Sequence, residues 1–514
     1  MILLASACSA FPLFVPLAFP LAWIGIAPLL IVLARHPSGT VLAWSGVFAL
    51  LLHGATNYWL IGTVARLSPF TGEPPAVMRV WGAAAFGGVL VWQALFCLLF
   101  AALAAAILRR RCDGLAAAAI GGAWALTEWL RSVGTLGYPW ALLASTQVAF
   151  LPLLQLVAWV GSYGLSGVIA MVNGLVAIAW LRRRWAEGLI ALSLLTALSI
   201  FGWWDMHRVQ QQMRHAPSLT VAAVQGNFGM ERWRPDRPLS DLTPILRAHL
   251  RLSERAVRRG AQVIVWSETA LPWALRVDGQ WQWGTAALRA FVQRHKVALL
   301  VGAGERRQGR SYNAAFLLAS VGGKATLCGV YRKVRLVPFG EYTPWRDRLP
   351  WLVRWLPPRP EETVPGDTIA PLRLPVPRPL WLAVAICFES LFPFHARQLV
   401  AGQGPTLLVI ITNDHWFGAT LAPYHHARAA ILRAVESRRA VARCAGTGIS
   451  LLALPTGRVV QWAGWNRQAV LVARLPLMTL PSPYHRWGDA PVSVACAALV
   501  VLGLLHLSAE RGRR

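Results

Sequence analysis

Long apolar stretches separated by short polar loops fill the first 204 residues of the chain. About 20 consecutive apolar residues are enough to cross the hydrocarbon core of a bilayer as a helix. The composition supports this interpretation, because 56% of the residues are hydrophobic and only 14% are charged. We therefore predict a polytopic α-helical membrane domain. About eight transmembrane helices are expected, near residues 2–19, 21–33, 41–64, 80–108, 115–130, 164–180, 189–204 and 492–507.

The basic residues of the loops indicate how these helices are oriented. Arginine clusters follow the second, fourth, sixth and eighth predicted spans, at residues 35–36, 109–111, 182–184 and 511–514. Cytoplasmic loops of membrane proteins carry an excess of Lys and Arg. We therefore expect both termini in the cytoplasm. The long segment after the seventh span then lies on the opposite side of the membrane.

The net charge of +28 also fits a nucleic-acid-binding protein. The arginines, however, lie at the ends of the apolar stretches or are scattered through one domain. The sequence contains no motif of a nucleic-acid-binding fold,. Anionic lipid headgroups explain the charge better, so we expect the bilayer as a partner and no nucleic acid.

The residues after the seventh span have the pattern of a folded α/β domain, because short apolar runs alternate with amphipathic stretches and turn residues,. We predict a transmembrane helical domain over residues 1–206, a folded α/β domain over residues 207–489, and a C-terminal transmembrane helix with a basic tail over residues 490–514. The predicted strands are 219–227, 262–268, 297–304, 313–320, 382–389 and 407–414, and the predicted helices are 240–259, 284–295 and 424–439.

Reactive side chains follow three of the predicted strands. Glu268 ends one run, Cys387 and Glu389 end another, and Asn413 with Asp414 ends a third. Loops at the ends of buried strands commonly form the cleft in which chemistry takes place. We therefore expect a functional site at this edge of the sheet.

A cysteine in such a run is most often a buried core residue. It becomes a nucleophile when a base removes its proton and a nearby cation stabilises the thiolate. Glu268 can be that base for Cys387, and Lys333 can be that cation. Lys333 is one of only three lysines in the chain. An arginine cannot replace it in proton chemistry, because the guanidinium keeps its proton.

The remaining polar residues have structural interpretations as well. Glu389 is either a catalytic carboxylate or one that accepts hydrogen bonds from neighbouring backbone N–H groups. Asn413 and Asp414 are typical turn formers. His426 has the position of a packing residue on a predicted helix. The seven cysteines form no CxxC pair and no zinc-like spacing, so we expect no metal site,.

Five motifs, in order along the chain, resemble the nitrilase superfamily. They are QGN (225–227), WSETALP (266–272), YRKVRLVPFGEYTP (331–344), ICFES (386–390) and NDHWFG (413–418). With helices before and after this domain, and with EWLRSVGTLGYPW (128–140), nearly the whole chain resembles the apolipoprotein N-acyltransferase family. The resemblance implies a nitrilase-like α/β domain, an α-β-β-α sandwich, outside the cytoplasm.

The resemblance also implies the residues of the site. It places a Glu-Lys-Cys triad at Glu268, Lys333 and Cys387, with Glu341 as a second glutamate near the lysine. We add Glu389 as a candidate catalytic residue. Candidate substrate-binding residues are Trp233 and Trp416, which match positions of substrate contact in the family, and Phe388, which stands where a tyrosine often follows the cysteine.

The activity implied by the resemblance is a two-step acyl transfer at the periplasmic side of the bacterial inner membrane. Cys387 would take an acyl chain from a membrane phospholipid as a thioester. The α-amino group of the N-terminal diacylglyceryl-cysteine of an apolipoprotein would then remove it, with ping-pong kinetics. This chemistry needs no metal or organic cofactor. Two alternatives stay open: a membrane-anchored amidase with the same triad, and a lipid-binding scaffold without catalysis.

Overall fold

Two compact units make up the chain in the computed structural model, which describes residues 1–229, 239–348, 350–353, 362–375, 380–401, 404, 406–479 and 481–505. The first unit comprises Met1–Ile61, Gly82–Arg208 and Ser482–Arg514, and the second comprises Gly62–Trp81 and Val209–Pro481.

Helices build the first unit and flank the sheets of the second. In the described part of the chain they are α1 (Ile2–Phe14), α2 (Ala27–Arg35), α3 (Ser38–Asn57), α4 (Trp59–Ala65), α5 (Ser68–Thr71), α6 (Pro75–Leu108), α7 (Gly114–Leu130), α8 (Leu151–Leu154), α9 (Val157–Arg182), α10 (Trp185–His215), α11 (Leu239–Arg258), α12 (Thr285–His295), α13 (Pro350–Val353), α14 (Pro393–Val400), α15 (Ala422–Ser437), α16 (Pro483–Trp487) and α17 (Asp489–Leu505).

Several of these helices are long and apolar enough to cross a membrane. Within the described ranges there are five such segments: Pro16–Arg35, Gly39–Asn57, Pro75–Leu108, Val157–Arg182 and Trp185–His215. The polytopic helical domain predicted from the sequence is thereby confirmed, while the number of eight spans stays a prediction. The first two predicted spans are irregular, because a 3-10 helix at Pro16–Trp23 separates α1 from α2. Pro16 and Pro20 lack the N–H that an α-helix needs there,.

Small residues allow the helices of the first unit to pack closely. A side chain on Gly167 would meet the backbone of Gly121 at 2.9 Å, so α7 and α9 can touch only because both positions are glycine,. Asn173 of α9 accepts hydrogen bonds from the backbone N–H groups of Ile26 and Ala27. These groups begin α2 and have no acceptor within their own helix.

The second unit contains two β-sheets. The first has the order β14-β1-β2-β5-β3-β4, and β6 and β7 extend from β5. The second has the order β13-β12-β11-β10-β9-β8. The strands are β1 (Ser218–Gln225), β2 (Val263–Trp266), β3 (Leu271–Val277), β4 (Gln280–Trp281), β5 (Ala298–Arg307), β6 (Arg310–Val321), β7 (Lys324–Arg332), β8 (Leu372–Leu374), β9 (Leu380–Ile386), β10 (Thr406–Thr412), β11 (Val441–Ala445), β12 (Ser450–Ala453), β13 (Val459–Ala463) and β14 (Ala469–Pro476).

The two sheets face each other and helices cover their outer sides. Alternate residues of β1 show this, because side chains of successive strand residues point to opposite faces. Val221 and Ala223 pack with β9 and β10 of the second sheet. Ala222 and Val224 pack with α11 and α12. Helices α14 and α15 pack on the second sheet. The predicted α-β-β-α sandwich is confirmed.

Strand direction brings the ends of several strands to one edge. Strands β9 and β10 are parallel, as are β2 and β5. Two antiparallel pairings, β5 with β6 and β6 with β7, make β7 run in the same direction as β5. The residues that follow β2 and β7 therefore emerge at the same edge of the first sheet, and those that follow β9 and β10 at the same edge of the second.

Candidate active site

Cys387 stands at the turn where β9 ends. Its backbone is in the left-handed region, with φ of 51°, which residues other than glycine rarely adopt. A short 3-10 helix, Cys387–Leu391, begins there. Part of the Cys387 surface remains exposed. The turn thus takes the cysteine out of the buried strand.

The carboxylate of Glu268 is held at both oxygens. Its Oε1 accepts hydrogen bonds from Lys333 Nζ at 3.2 Å and from Asn313 Nδ2 at 2.7 Å. Its Oε2 accepts one from the backbone N–H of Asn413 at 2.7 Å. Because Asn413 follows β10 of the second sheet, this last bond joins the strand ends of the two sheets.

Lys333 follows β7 and lies between two carboxylates. Its Nζ is 3.2 Å from Glu268 Oε1 and 2.9 Å from Glu341 Oε1. The other oxygen of Glu341 accepts a hydrogen bond from the backbone N–H of Val337 at 2.8 Å. Burial alone would lower the pKa of Lys333, but the two carboxylates outweigh it and raise the pKa well above its usual value. The side chain is therefore an ammonium ion at neutral pH.

The thiol of Cys387 shares this electrostatic environment. Burial raises the pKa of Cys387, and the negative charge of Glu268 raises it further, while Lys333 lowers it in part. The resting residue is thus a protonated thiol rather than a thiolate. A base must take its proton as it attacks, and Glu268 is the carboxylate whose charge acts most strongly on it.

Glu389 is fully buried and accepts hydrogen bonds from three backbone N–H groups. They belong to Ile386 at 2.7 Å, Val334 at 2.6 Å and Arg335 at 3.0 Å. The Tyr331 hydroxyl donates to it as well, at 2.9 Å. These contacts are the ones expected if Glu389 serves to accept hydrogen bonds from neighbouring backbone N–H groups. A direct catalytic role of Glu389 stays a prediction. Glu389 ties the strand before the cysteine to the loop after the lysine.

Comparison with known proteins supports the resemblance noted in the sequence. A family model described as Apolipoprotein N-acyltransferase N-terminal domain matches residues 5–175, and one described as Carbon-nitrogen hydrolase matches residues 220–482. An apolipoprotein N-acyltransferase of Gloeobacter violaceus is 33% identical over 504 residues, which cover 96% of this chain and 91% of the relative. The chain belongs to the apolipoprotein N-acyltransferase family.

A second relative is similar over nearly the whole chain. An apolipoprotein N-acyltransferase of Geobacter metallireducens is 31% identical over 503 residues, with 94% of this chain and 90% of the relative covered. Among solved structures, an amidase from Nesterenkonia sp. aligns with 53% of this chain and 94% of its own, at 21% identity and a TM-score of 0.37. The family suggested by the motifs is confirmed.

In this member of the apolipoprotein N-acyltransferase family, the predicted substrate contacts have different outcomes. Trp233 lies outside the described residues. Phe388 is buried and packs edge-on against Phe392, with 5.0 Å between ring centroids. Trp416 is half-buried in the short 3-10 helix Asp414–Phe417, which follows Asn413. Whether these residues contact substrate stays a prediction.

The structure adds a segment that the sequence analysis did not connect with the site. Residues 62–81 belong to the second unit, and three of them contact Trp416. Its carbonyl accepts hydrogen bonds from Thr63 Oγ1 at 2.8 Å and Arg66 Nη1 at 3.1 Å. Its ring lies beside Phe70, with 6.1 Å between centroids. These contacts fix the backbone that carries Trp416.

Asn313 is another site residue that sequence reasoning missed. Its amide donates to Oε1 of both Glu268 and Glu341, at 2.7 and 3.2 Å. Asn313 lies on β6, away from every motif, and only the pairing of β6 with β5 and β7 brings it to the two glutamates. A cleft opens beside Glu268 and is lined also by Asn227, Phe228, His249, Asn413 and Gly446. Within the described ranges, no group of three or more His, Cys, Asp or Glu side chains is placed to hold a metal ion.

Proposed function

We propose that this bacterial membrane protein transfers an acyl chain from a membrane phospholipid to the α-amino group of the N-terminal diacylglyceryl-cysteine of apolipoproteins. This transfer completes lipoprotein maturation. The observation that carries the proposal is the buried Lys333, which lies between Glu268 and Glu341. The charges of Lys333 and Glu268 both act on the Cys387 thiol. Glu268, Lys333 and Cys387 are the catalytic residues, and Glu341 positions the lysine.

The first half-reaction forms an acyl-enzyme. Glu268 takes the proton of the Cys387 thiol as the sulfur attacks the ester carbonyl carbon of the phospholipid, and a C–S bond forms. The ester C–O bond then breaks. Glu268 returns the proton to the departing oxygen, so a lysophospholipid leaves and the acyl chain remains on Cys387 as a thioester.

The second half-reaction transfers the chain to the amine. The α-amino nitrogen attacks the thioester carbon and loses a proton to Glu268. The C–N bond forms and the C–S bond breaks. Glu268 then gives the proton to the departing sulfur, which restores the thiol.

A secondary role for Glu389 follows from its contacts. Its carboxylate holds the backbone just before Cys387 and just after Lys333.

Lys333 is suited to stabilise the oxyanion of both tetrahedral intermediates. An ammonium group has three N–H donors. Two of them point to Glu268 and Glu341, at 3.2 and 2.9 Å, and the third is available for the oxyanion. Donors that are fixed in advance inside a site from which water is excluded contribute strongly to catalysis.

The membrane domain explains why this chemistry is attached to a bilayer. Removing an acyl chain from the bilayer requires about 0.8 kcal/mol per buried CH₂ group, or roughly 12 kcal/mol for a chain of about 15 groups. The thiol must therefore reach the lipid where it lies. The basic loops of the predicted spans support a catalytic domain on the periplasmic side of the inner membrane and cytoplasmic termini.

Intact-mass analysis of the purified full chain tests the proposal. After incubation with a phospholipid of known acyl chains, we expect one added acyl group on the wild type and on Cys328→Ala, and none on Cys387→Ala. Cys328 is the matched control, since it is a partly buried cysteine on β7. A diacylated peptide with a free amine should discharge the acyl group faster than water does.

Other outcomes of this experiment would contradict the proposal. Discharge by water at the same rate as by the peptide would favour the membrane-anchored amidase. An added acyl group on Cys387→Ala would remove Cys387 as the nucleophile. A wild-type chain that never acquires the acyl group would exclude the phospholipid as donor.

A further inference from the structure

A buried group of polar side chains lies behind Cys387, on the side of its carbonyl. His426 of α15 places Nε2 at 3.1 Å from the Cys387 carbonyl oxygen and at 3.1 Å from Ser390 Oγ. Ser390 Oγ in turn donates to the Cys387 carbonyl at 2.7 Å. The Ser390 hydroxyl therefore holds the backbone oxygen of the nucleophile, and His426 Nε2 lies beside that hydroxyl.

Asp414 holds the imidazole from its other side. His426 Nδ1 is 3.0 Å from Asp414 Oδ1. Asp414 Oδ1 also accepts from Thr412 Oγ1 at 2.9 Å, and its Oδ2 from Arg443 Nη2 at 2.7 Å. Asp414, Thr412 and Arg443 are fully buried. Buried charges are stable only when paired and hydrogen-bonded, so this cluster has little freedom to rearrange. We call Ser390, His426 and Asp414 the carbonyl anchor.

The charge of Asp414 determines how His426 is oriented. Burial by itself would raise the pKa of Asp414, but Arg443 and His426 lower it to about 2. The carboxylate is therefore ionised and can only accept, so Nδ1 of His426 carries a proton. The ring plane is thereby set. Burial and the charge of Arg443 lower the pKa of His426, so the ring is neutral. Its Nε2 therefore carries a lone pair, which can accept from the Ser390 hydroxyl but cannot donate to the Cys387 carbonyl.

Ser390, His426 and Asp414 have the order of contacts found in a serine hydrolase triad, but they do not form a second active site. Ser390 is 1% exposed, and its hydroxyl donates to the Cys387 carbonyl. No substrate carbonyl can reach a hydroxyl in that position. The cluster acts on Cys387 instead.

The peptide between Cys387 and Phe388 connects this cluster with the reaction. No cis peptide occurs in the described residues, and in a trans peptide the C=O and N–H groups point in opposite directions. Holding the Cys387 oxygen toward the Ser390 hydroxyl therefore turns the Phe388 N–H away from that hydroxyl. Rotation about ψ of Cys387 would move this N–H without moving the cysteine Cβ, so the N–H needs an anchor separate from that of the thiol.

The thiol has such a separate anchor. Glu389 accepts from the backbone N–H of Ile386 at 2.7 Å, which fixes the strand just before Cys387. We propose that Ser390, His426 and Asp414 are positioning residues that aim the Phe388 N–H at the oxyanion, as a second donor beside Lys333. The inference rests on the proposed function in one respect, that Cys387 is the nucleophile.

Two reactions of Cys387 separate this role from a general structural one. Formation of the thioester passes through an oxyanion and needs the Phe388 N–H. Alkylation by iodoacetamide is a displacement at a saturated carbon without an oxyanion, so it needs only the thiol and its base. We expect Ser390→Ala to slow thioester formation at least about tenfold, since removing one oxyanion donor typically costs about 100-fold or more. His426 acts through Ser390, so His426→Leu should slow the reaction by no more than Ser390→Ala does. Alkylation and the phospholipid KM should stay within about twofold of wild type in Ser390→Ala.

Ser437→Ala is the matched control, because Ser437 is buried on α15 and donates to the Arg433 carbonyl. We expect its thioester formation and alkylation to equal those of wild type. Equal thioester rates in Ser390→Ala and wild type would overturn the inference. So would a parallel loss of both reactions in Ser390→Ala, or the same loss in Ser437→Ala. If His426→Leu fails to fold, Ser390→Ala decides alone. A wild type without thioester on Cys387 would overturn the proposed function itself.

Discussion

Gly302 is the position where the smallest added group should disturb the catalytic base. Strand β5 runs beside β2, and a Cβ on Gly302 would lie 2.8 Å from Glu268 Cα and 2.8 Å from Thr269 N, with the Ser267 carbonyl oxygen closer still. Ordinary contacts of a Cβ begin at about 3.4 Å. In Gly302→Ala the backbone at Glu268 must therefore move by at least about half an ångström.

Such a shift weakens catalysis because both oxygens of Glu268 are held by bonds of 2.7 Å, from Asn313 Nδ2 and from Asn413 N. Misplacement of a catalytic group by about 1 Å can reduce the rate about 100-fold. We expect Gly302→Ala to slow thioester formation roughly tenfold to 100-fold. Alkylation of Cys387 by iodoacetamide should slow as well, since the base itself is displaced.

The assay follows the growth of the acyl-enzyme by mass spectrometry in a single turnover, with alkylation measured in parallel. Gly304→Ala is the control, because Gly304 lies on the same face of β5 and its nearest neighbour, Ala274 Cα, would be 3.4 Å from the added Cβ. The control should react like wild type. The reasoning is refuted if Gly302→Ala also reacts like wild type, or if Gly304→Ala loses as much activity.

Three further perturbations test other contacts of the site. Lys333→Arg keeps the charge, but a planar guanidinium cannot place one nitrogen between two carboxylates; we expect thioester formation to fall at least about 100-fold, and a fully active variant would exclude the oxyanion role. Asp414 has a folded-state pKa of about 2, below its ordinary 3.8. The stability that its carboxylate contributes is therefore complete above about pH 4 and is lost as the pH falls from about 4 to 2, and it amounts to roughly 2 kcal/mol,. Thermal melting against pH should show this loss in wild type and not in Asp414→Asn. Gly418→Ala adds a side chain against the guanidinium of Arg66, at a backbone φ of 61°, and should raise the phospholipid KM several-fold. In the double variant with Arg66→Ala, the KM should return part of the way to the wild-type value. An unchanged KM in the double variant would show that the clash with Arg66 is not the cause.

Local patterns were sufficient to predict the elements that carry the site. The strand before Cys387 was predicted as 382–389 and is observed as Leu380–Ile386, and the helix predicted as 424–439 is observed as Ala422–Ser437. Short buried strands and amphipathic helices differ in the spacing of their apolar residues. This spacing can be read from residues that are close together in the sequence. Glu268 could be selected in the same way, because it ends a predicted strand inside a motif. Lys333 was selected as one of only three lysines and from its motif, since the strand before it was not predicted.

Residues that act through distant pairings could not be selected. Asn313 lies on a strand without a motif, and its role depends on strand pairing that brings it to Glu268, 45 residues away in the chain. Asp414 and His426 were interpreted as a turn former and a packing residue. Neither interpretation contains the contact between these two residues or the position of His426 beside Cys387, which is 39 residues away.

The amino-acid sequence alone therefore established the membrane helices, the α/β domain, the family and the residue types of the chemistry, since these depend on composition, periodicity and short motifs. The folded chain alone revealed the directions of the side chains and backbone groups around Cys387. Hydrogen bonds reach only about 3 Å, and whether two groups come that close depends on how the strands pair and how the two sheets pack against each other.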